Sequence, residues 1–285
     1  MHLPQATSPK SFWSESEYPA STSSFSTLEK LFYGNTSAAR ILDKLVSINP
    51  TRRAHVDEYD IDTFTAGIHE MISTNTIDAA VRYLGNLYPE VAVIHPDYST
   101  GLFIDKDLPV YYGHNSYYSI PPDYQRCHDK LTEFGTKYAR WIVVVICYNA
   151  HVTGLIVDVD GANVYYLNSA GDGDLVERLM YSNFPQQHVN NMINFMVPAV
   201  RNRQPQPAMS NDCGMMFWLY ILAFLAGGCD PHAISTFRIR GYEGYHDYST
   251  KAASKYLRSI MRLAALSVLN DPYYISKYTG DVQYA

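Results

Sequence analysis

Apolar positions in this chain recur every three or four residues toward both ends and run together in short stretches through the middle. Over 27–48, Leu28, Leu31, Phe32, Ile41, Leu42, Leu45 and Val46 keep helical spacing on either side of Gly34-Asn35, which predicts two short helices. Phe64, Ile68, Met71 and Ile72 share one face in the next block. Thr74-Asn75 then caps a helix carrying Ile77, Ala80, Val81, Leu84 and Leu87, which Pro89 ends. The stretch 91–95 is the first predicted strand. A Tyr-, Pro- and Gly-rich loop follows through 97–122, long enough for a lid or a binding surface. Residues 124–138 read as a helix and the wholly apolar 141–147 as a strand buried on both faces. Two further strands, 151–157 and 163–167, flank Asp160-Gly161, a hairpin-turn dipeptide. Short helices are expected in 171–200 and turns in 229–247.

The most apolar stretch of all is Met215-Met216-Phe217-Trp218-Leu219-Tyr220-Ile221-Leu222-Ala223-Phe224-Leu225-Ala226, closed by Gly227-Gly228. A bilayer span needs about 20 apolar residues, so this shorter run predicts a core helix buried on all sides. Ser249 or Thr250 caps a last, amphipathic helix that runs to Leu269 before Asp271-Pro272. Helices, a few central strands, then helices again make an α+β class. The expected division is a flexible arm over 1–26, rich in Ser, Thr and Pro, a helical extension over 27–60 and one domain over 61–285.

Composition narrows the chemistry. The 285 residues are 47% hydrophobic, ample for a core, and the net charge of −6 with no Lys/Arg cluster argues against a nucleic-acid partner. The four cysteines, Cys127, Cys147, Cys213 and Cys229, have neither metal-ligand nor disulfide-framework spacing. No metal or cofactor is implied, and a soluble chain is expected. Cys213 differs from the others in opening the buried helix, where unpaired backbone N–H groups and the helix dipole favour thiolate over thiol.

A nucleophile needs a base, and the hairpin offers one. If Asp160-Gly161 are the central turn residues, Asn168 lies opposite Thr153 and His151 is its diagonal neighbour on the same face; a longer loop puts Asn168 directly opposite His151. Diagonal residues are roughly 7–8 Å apart at Cα, within reach of two polar side chains. Asp158 and Asp160 sit at the far end of the strand, about 20 Å or more away, and are turn residues. An imidazole held by a carboxamide is what a Cys–His pair requires to fix its ring. Gln206, or Gln204, in Arg203-Gln204-Pro205-Gln206-Pro207 could aim an amide at the nucleophile as an oxyanion donor beside the Cys213 N–H. Cys147 and Cys229 read as structural thiols, His128, His188, His232 and His246 lack ligand spacing, and the 25 tyrosines serve packing and rim contacts.

In this order the residues resemble clan CE cysteine proteases: the ubiquitin-like-protein-specific and sentrin-specific proteases, adenain, and a branch of bacterial effector deubiquitinases. His151-Val152-Thr153-Gly154-Leu155-Ile156 is similar to the family's H-W strand, and Val164-Tyr165-Tyr166-Leu167-Asn168-Ser169 to its Y-x-D-S strand. Asn211-Asp212-Cys213-Gly214 matches the end of its Q-x-N-G-x-D-C-G pattern, and the likeness spans roughly 60–230. Papain-like enzymes run Cys, His, Asn and are set apart by that order. This chain departs from the family in having Asn168 for the usual Asp, Val152 for the Trp after the histidine, and Pro207 where the oxyanion Gln stands.

The resemblance implies a papain-like α+β fold of the ubiquitin-like-protease type, with a central mixed sheet flanked by helices. It implies an isopeptidase using Cys213, His151, Asn168 and Gln206, with ubiquitin or a ubiquitin-like modifier and its conjugates as partners. The polar N-terminal arm resembles those of secreted effectors that act in a host cytoplasm. Two other readings fit the same residues: an acetyltransferase of the YopJ type, and an inactive module that binds a modifier.

Overall fold

The computed structural model describes residues 25–46, 71–94, 139–148, 151–161, 163–169, 210–242 and 248–269. Helix α1 (Phe25–Leu31) and helix α2 (Thr36–Val46) are separated where the periodicity breaks. Gly34 takes φ 85°, a left-handed conformation natural to glycine, and donates its N–H to Glu29 O. Asn35 Oδ1 then accepts from Ala38 N and starts α2. Helix α3 (Thr74–Gly85) is capped by Ser73, whose Oγ accepts from Thr76 N at 3.3 Å, one residue earlier than the expected Thr74-Asn75 cap. Strand β1 (Val91–Ile94) follows. Within α3, Arg82 bonds Asp78 at 2.7 Å and reaches Val93 O at 3.1 Å, tying the helix to the strand.

Strands β2 (Trp141–Tyr148), β3 (His151–Asp158) and β4 (Asn163–Leu167) complete a four-stranded mixed sheet ordered β1-β2-β3-β4. β1 is parallel to β2 and the other pairings are antiparallel. This is the α+β architecture read from the sequence. As its unbroken apolar run requires, β2 is buried on both faces from Trp141 to Ile146.

One face of the sheet carries Val143, Val145, Val152, Ile156, Tyr165 and Leu167 into a single core, and helix α4 (Cys213–Ala226) lies in that core with every residue from Cys213 to Leu225 buried. Gly154 lets α4 close on β3, and Gly214 lets it close on α3. A Cβ on Gly154 would overlap Val144 O and the Phe217 ring; one on Gly214 would meet Ile77 and, at 3.8 Å, Val152 Cγ2. Trp141 of β2 packs edge-on against Phe224 with centroids 5.2 Å apart, tying β2 to the C-terminal half of the same helix. After α4, Gly228 and Cys229 take positive φ, and a short helix α5 (Ala233–Thr236) follows.

Helix α6 (Tyr248–Leu269) ends where expected but begins ahead of both proposed caps; Thr250 is fully buried inside its first turn. α6 packs on α2, α3 and α4. Helices α1 and α2 join the same core through Leu28, Leu31, Leu42 and Leu45, and Arg240 N donates to Leu31 O. Among the described residues no helix is long and apolar enough to cross a membrane.

Candidate active site

The hairpin takes the register that a turn centred on Asp160-Gly161 predicts: Gly154 pairs with Leu167 and Asp158 with Asn163. Continued by one step, it sets Asn168 opposite Thr153 and leaves His151 as the diagonal neighbour. The two side chains meet, with His151 Nε2 2.9 Å from Asn168 Oδ1. An amide oxygen only accepts, so the ring donates from Nε2 and its Nδ1 carries the lone pair. The turn carboxylates are occupied elsewhere. Asp158 accepts from Gly161 N at 3.0 Å, and exposed Asp160 faces Arg140 at 3.7 Å.

Cys213 lies at the start of α4, only 7% exposed. The backbone N–H groups around its sulfur, those of Val152, Gly214 and Cys213 itself, act in favour of the thiolate. Val152 can give its N–H away because the β3–β4 ladder stops at Gly154 and Leu167. The residue next to His151 thus lies by the start of α4 at the rim of the sheet, where β3 begins. Burial outweighs the amides, and with the nearby Asp212 charge it pushes the Cys213 thiol up from its ordinary value. The N–H groups of the helix N-terminus act in the expected direction, and desolvation acts against them. At rest the group is a thiol that needs a base.

The turn before the nucleophile is held by a buried ionic cluster that sequence reading missed. The Asp212 carboxylate, fully buried, accepts from Arg258 Nη2 at 2.6 Å and Nε at 2.9 Å, from Ser254 Oγ at 2.9 Å and from Tyr242 Oη at 2.7 Å. Arg258 Nη2 also donates to Asn211 O at 3.1 Å. Burial and the Asp212 charge hold the Tyr242 hydroxyl well above the ordinary tyrosine range, so it remains a donor. A signal was present: Ser254 and Arg258, four apart, share the apolar face of α6 with Leu257 and Met261, and a charge on such a face demands a buried partner.

No family model matches this chain, and no curated protein matches it. Solved structures do. The SUMO protease Ulp1 with its catalytic cysteine oxidised to a sulfenic acid is similar at 15% identity and TM-score 0.47, covering 82% of this chain and 95% of that one. The C-terminal Ulp1 protease domain in complex with Smt3, the yeast ortholog of SUMO, gives 12% identity and TM-score 0.46 over 81% of this chain and 95% of that one. A de-sumoylating protease gives 13% and 0.45 over 79% and 90%.

The structure brings His151 and Asn168 into contact and sets Val152, the next residue of β3, by the start of α4, where Cys213 stands. Gln206 and Gln204 lie outside the described residues, as do the 97–122 loop, the predicted helices at 124–138 and in 171–200, and Cys127. Cys147 is half-buried on β2, opposite Val152. Cys229 is buried with its sulfur 3.8 Å from Glu90 Oε1, and burial together with that carboxylate pushes its thiol up to about 11. His232 is exposed and lies edge-on to Tyr165. No group of three or more metal-ligating side chains occurs among the described residues.

Proposed function

We propose that this chain is a cysteine isopeptidase that removes ubiquitin or a ubiquitin-like modifier from proteins. The observation that carries the reading is the 2.9 Å contact of His151 Nε2 with Asn168 Oδ1, on the strand whose next residue, Val152, lies by the start of α4 and Cys213. With Nε2 engaged, the lone pair of Nδ1 is the base for Cys213. The proton moves to His151 as the thiolate attacks the carbonyl of the modifier's C-terminal glycine. The Cys213 N–H and the Gln206 amide stabilise the tetrahedral oxyanion. His151 returns the proton to the leaving lysine amine, and water then hydrolyses the thioester. A thiol protonated at rest suits this order of events, because charge develops only when the base takes the proton. The modifier class is supported by the sequence order of His151, Asn168 and Asp212-Cys213-Gly214 at the head of a buried helix.

A panel of modifiers carrying a C-terminal electrophile (ubiquitin, SUMO and NEDD8) tests the reading. At least one probe is expected to label the wild type, and none the Cys213→Ala variant. No labelling, together with acetyl transfer from acetyl-CoA to a protein hydroxyl or amine, makes the chain an acetyltransferase instead. Tight modifier binding without labelling makes it a binding module.

A further inference from the structure

The cluster around Asp212 is larger than a helix cap needs to be. A single side-chain oxygen suffices to cap a helix, yet Asp212 makes no capping bond to the first turn of α4 and turns its carboxylate the other way. Four bonds from three residues, Tyr242, Ser254 and Arg258, converge on it. Arg258 spends a further bond on Asn211 O, so both residues ahead of the nucleophile are gripped by one guanidinium. That is a planar fork fixing a turn, a task for which the point charge of a lysine is poorly shaped.

We propose that Arg258 is a positioning residue for Cys213: it pins the Asn211-Asp212 turn and cancels the Asp212 charge, so that the thiolate forms beside a neutral ion pair instead of a bare carboxylate. The inference rests on Cys213 being the nucleophile, but not on which substrate it attacks. Among the described residues the charges around the sulfur are few. Asp212 precedes it, and His151 stands next to Val152 on β3. Arg258 comes from α6, and Tyr242 follows α5 with Tyr220 of α4 near it. On α3, Asp78 and Arg82 satisfy one another at 2.7 Å. Asp212 is the carboxylate that works against the thiolate, in the same direction as burial. Arg258, at 2.6 Å from it, is the cation placed to offset that effect.

The test is the pH dependence of Cys213 alkylation by iodoacetamide, which needs no modifier, on full-length folded protein with Cys127, Cys147 and Cys229 replaced by Ser or Ala. Arg258→Met leaves Asp212 uncompensated and is expected to move the alkylation midpoint upward by about one pH unit, an approximately tenfold slower reaction at pH 7. The double variant Asp212→Asn with Arg258→Met removes both charges and is expected to restore the midpoint. Tyr242→Phe, which keeps shape and buries no unpaired charge in the core, is expected to give a smaller upward shift and serves where Arg258→Met fails to fold. A midpoint unchanged in both single variants, or displaced equally in the single and double Arg258 variants, overturns the proposal. If the shifts appear while no modifier probe labels the wild type, the positioning role stands and the isopeptidase reading falls.

Discussion

An amide oxygen and a carboxylate hold a histidine differently. Both accept the ring N–H and fix which nitrogen bears the lone pair, but only the carboxylate also stabilises the imidazolium by charge. Asn168 therefore orients His151 at 2.9 Å and supplies a dipole where an acid would supply a full charge. Replacing Asn168 by Leu removes the acceptor, and the expected loss is about 10²- to 10⁴-fold in Cys213-dependent turnover or probe labelling. Asn168→Asp keeps the acceptor and is expected to retain activity. Equal activity in the Leu variant would mean that the ring is held by something else. This pair was legible in the sequence because strand alternation and a two-residue turn dipeptide fix a register without knowledge of the rest of the fold. The Asp212 cluster was not, because its members, Asp212, Tyr242, Ser254 and Arg258, meet only once α6 has docked on α4. The burial that opposes the helix start at Cys213 was not legible for a related reason. A helix N-terminus is a local feature, whereas desolvation depends on everything packed around it.

At the scale of elements, α4 was the easiest to read, since uninterrupted apolar sequence closed by Gly227-Gly228 has few other solutions. Caps were harder. Ser73 displaces Thr74-Asn75, and α6 starts ahead of Ser249, because neighbouring Ser, Thr and Asn residues are equivalent cappers until tertiary contacts choose among them. What no periodicity announced was how α4 meets β3 and α3. The two glycines at those contacts differ in what surrounds them. At Gly154 an added methyl group strikes backbone, Val144 O, and a packed ring, Phe217; at Gly214 it strikes only side-chain atoms of one residue, Ile77. Gly154→Ala is expected to cost about 1–3 kcal/mol by overpacking. Gly214→Ala is expected to stay within about 1 kcal/mol, since the methyl also restores helix propensity. Urea unfolding of the two variants checks the order, and a Gly214 variant less stable than the Gly154 variant would contradict the packing described.

At the scale of the molecule, one core joins segments from Leu28 to Val268, so a perturbed group anywhere in it is felt in global stability. Cys229 offers the clearest case. Its thiol is raised from 9.0 to about 11, first by burial and then by Glu90. The folded-state value lies above the unfolded one, so the protonated thiol contributes stability that is fully present below about pH 9 and is lost as pH rises toward about 11. The urea midpoint of the wild type is expected to fall more steeply between pH 9 and 11 than that of Cys229→Ala. Parallel curves would show that the thiol is not held in this way. The α+β class and the β3–β4 hairpin followed from the succession of patterns along the chain, whereas the order of the sheet appears only in the structure. The sharing of one core by α1, α2 and α6 did not, because an amphipathic face reports that it is buried and not what buries it.

The Asp212 cluster has a consequence for how the protein is made. Translation delivers β2, β3 and β4 first, so His151 and Asn168 can pair while the thiol has yet to be synthesised. Cys213 and α4 follow, and Arg258 comes later still, midway along α6. A nascent chain that has passed Cys213 but not reached Arg258 carries its sulfur beside a carboxylate with no guanidinium to answer it. On the proposed role of Arg258, α6 is thus the element that completes the surroundings of Cys213, and a chain cut short before it is expected to alkylate there more slowly.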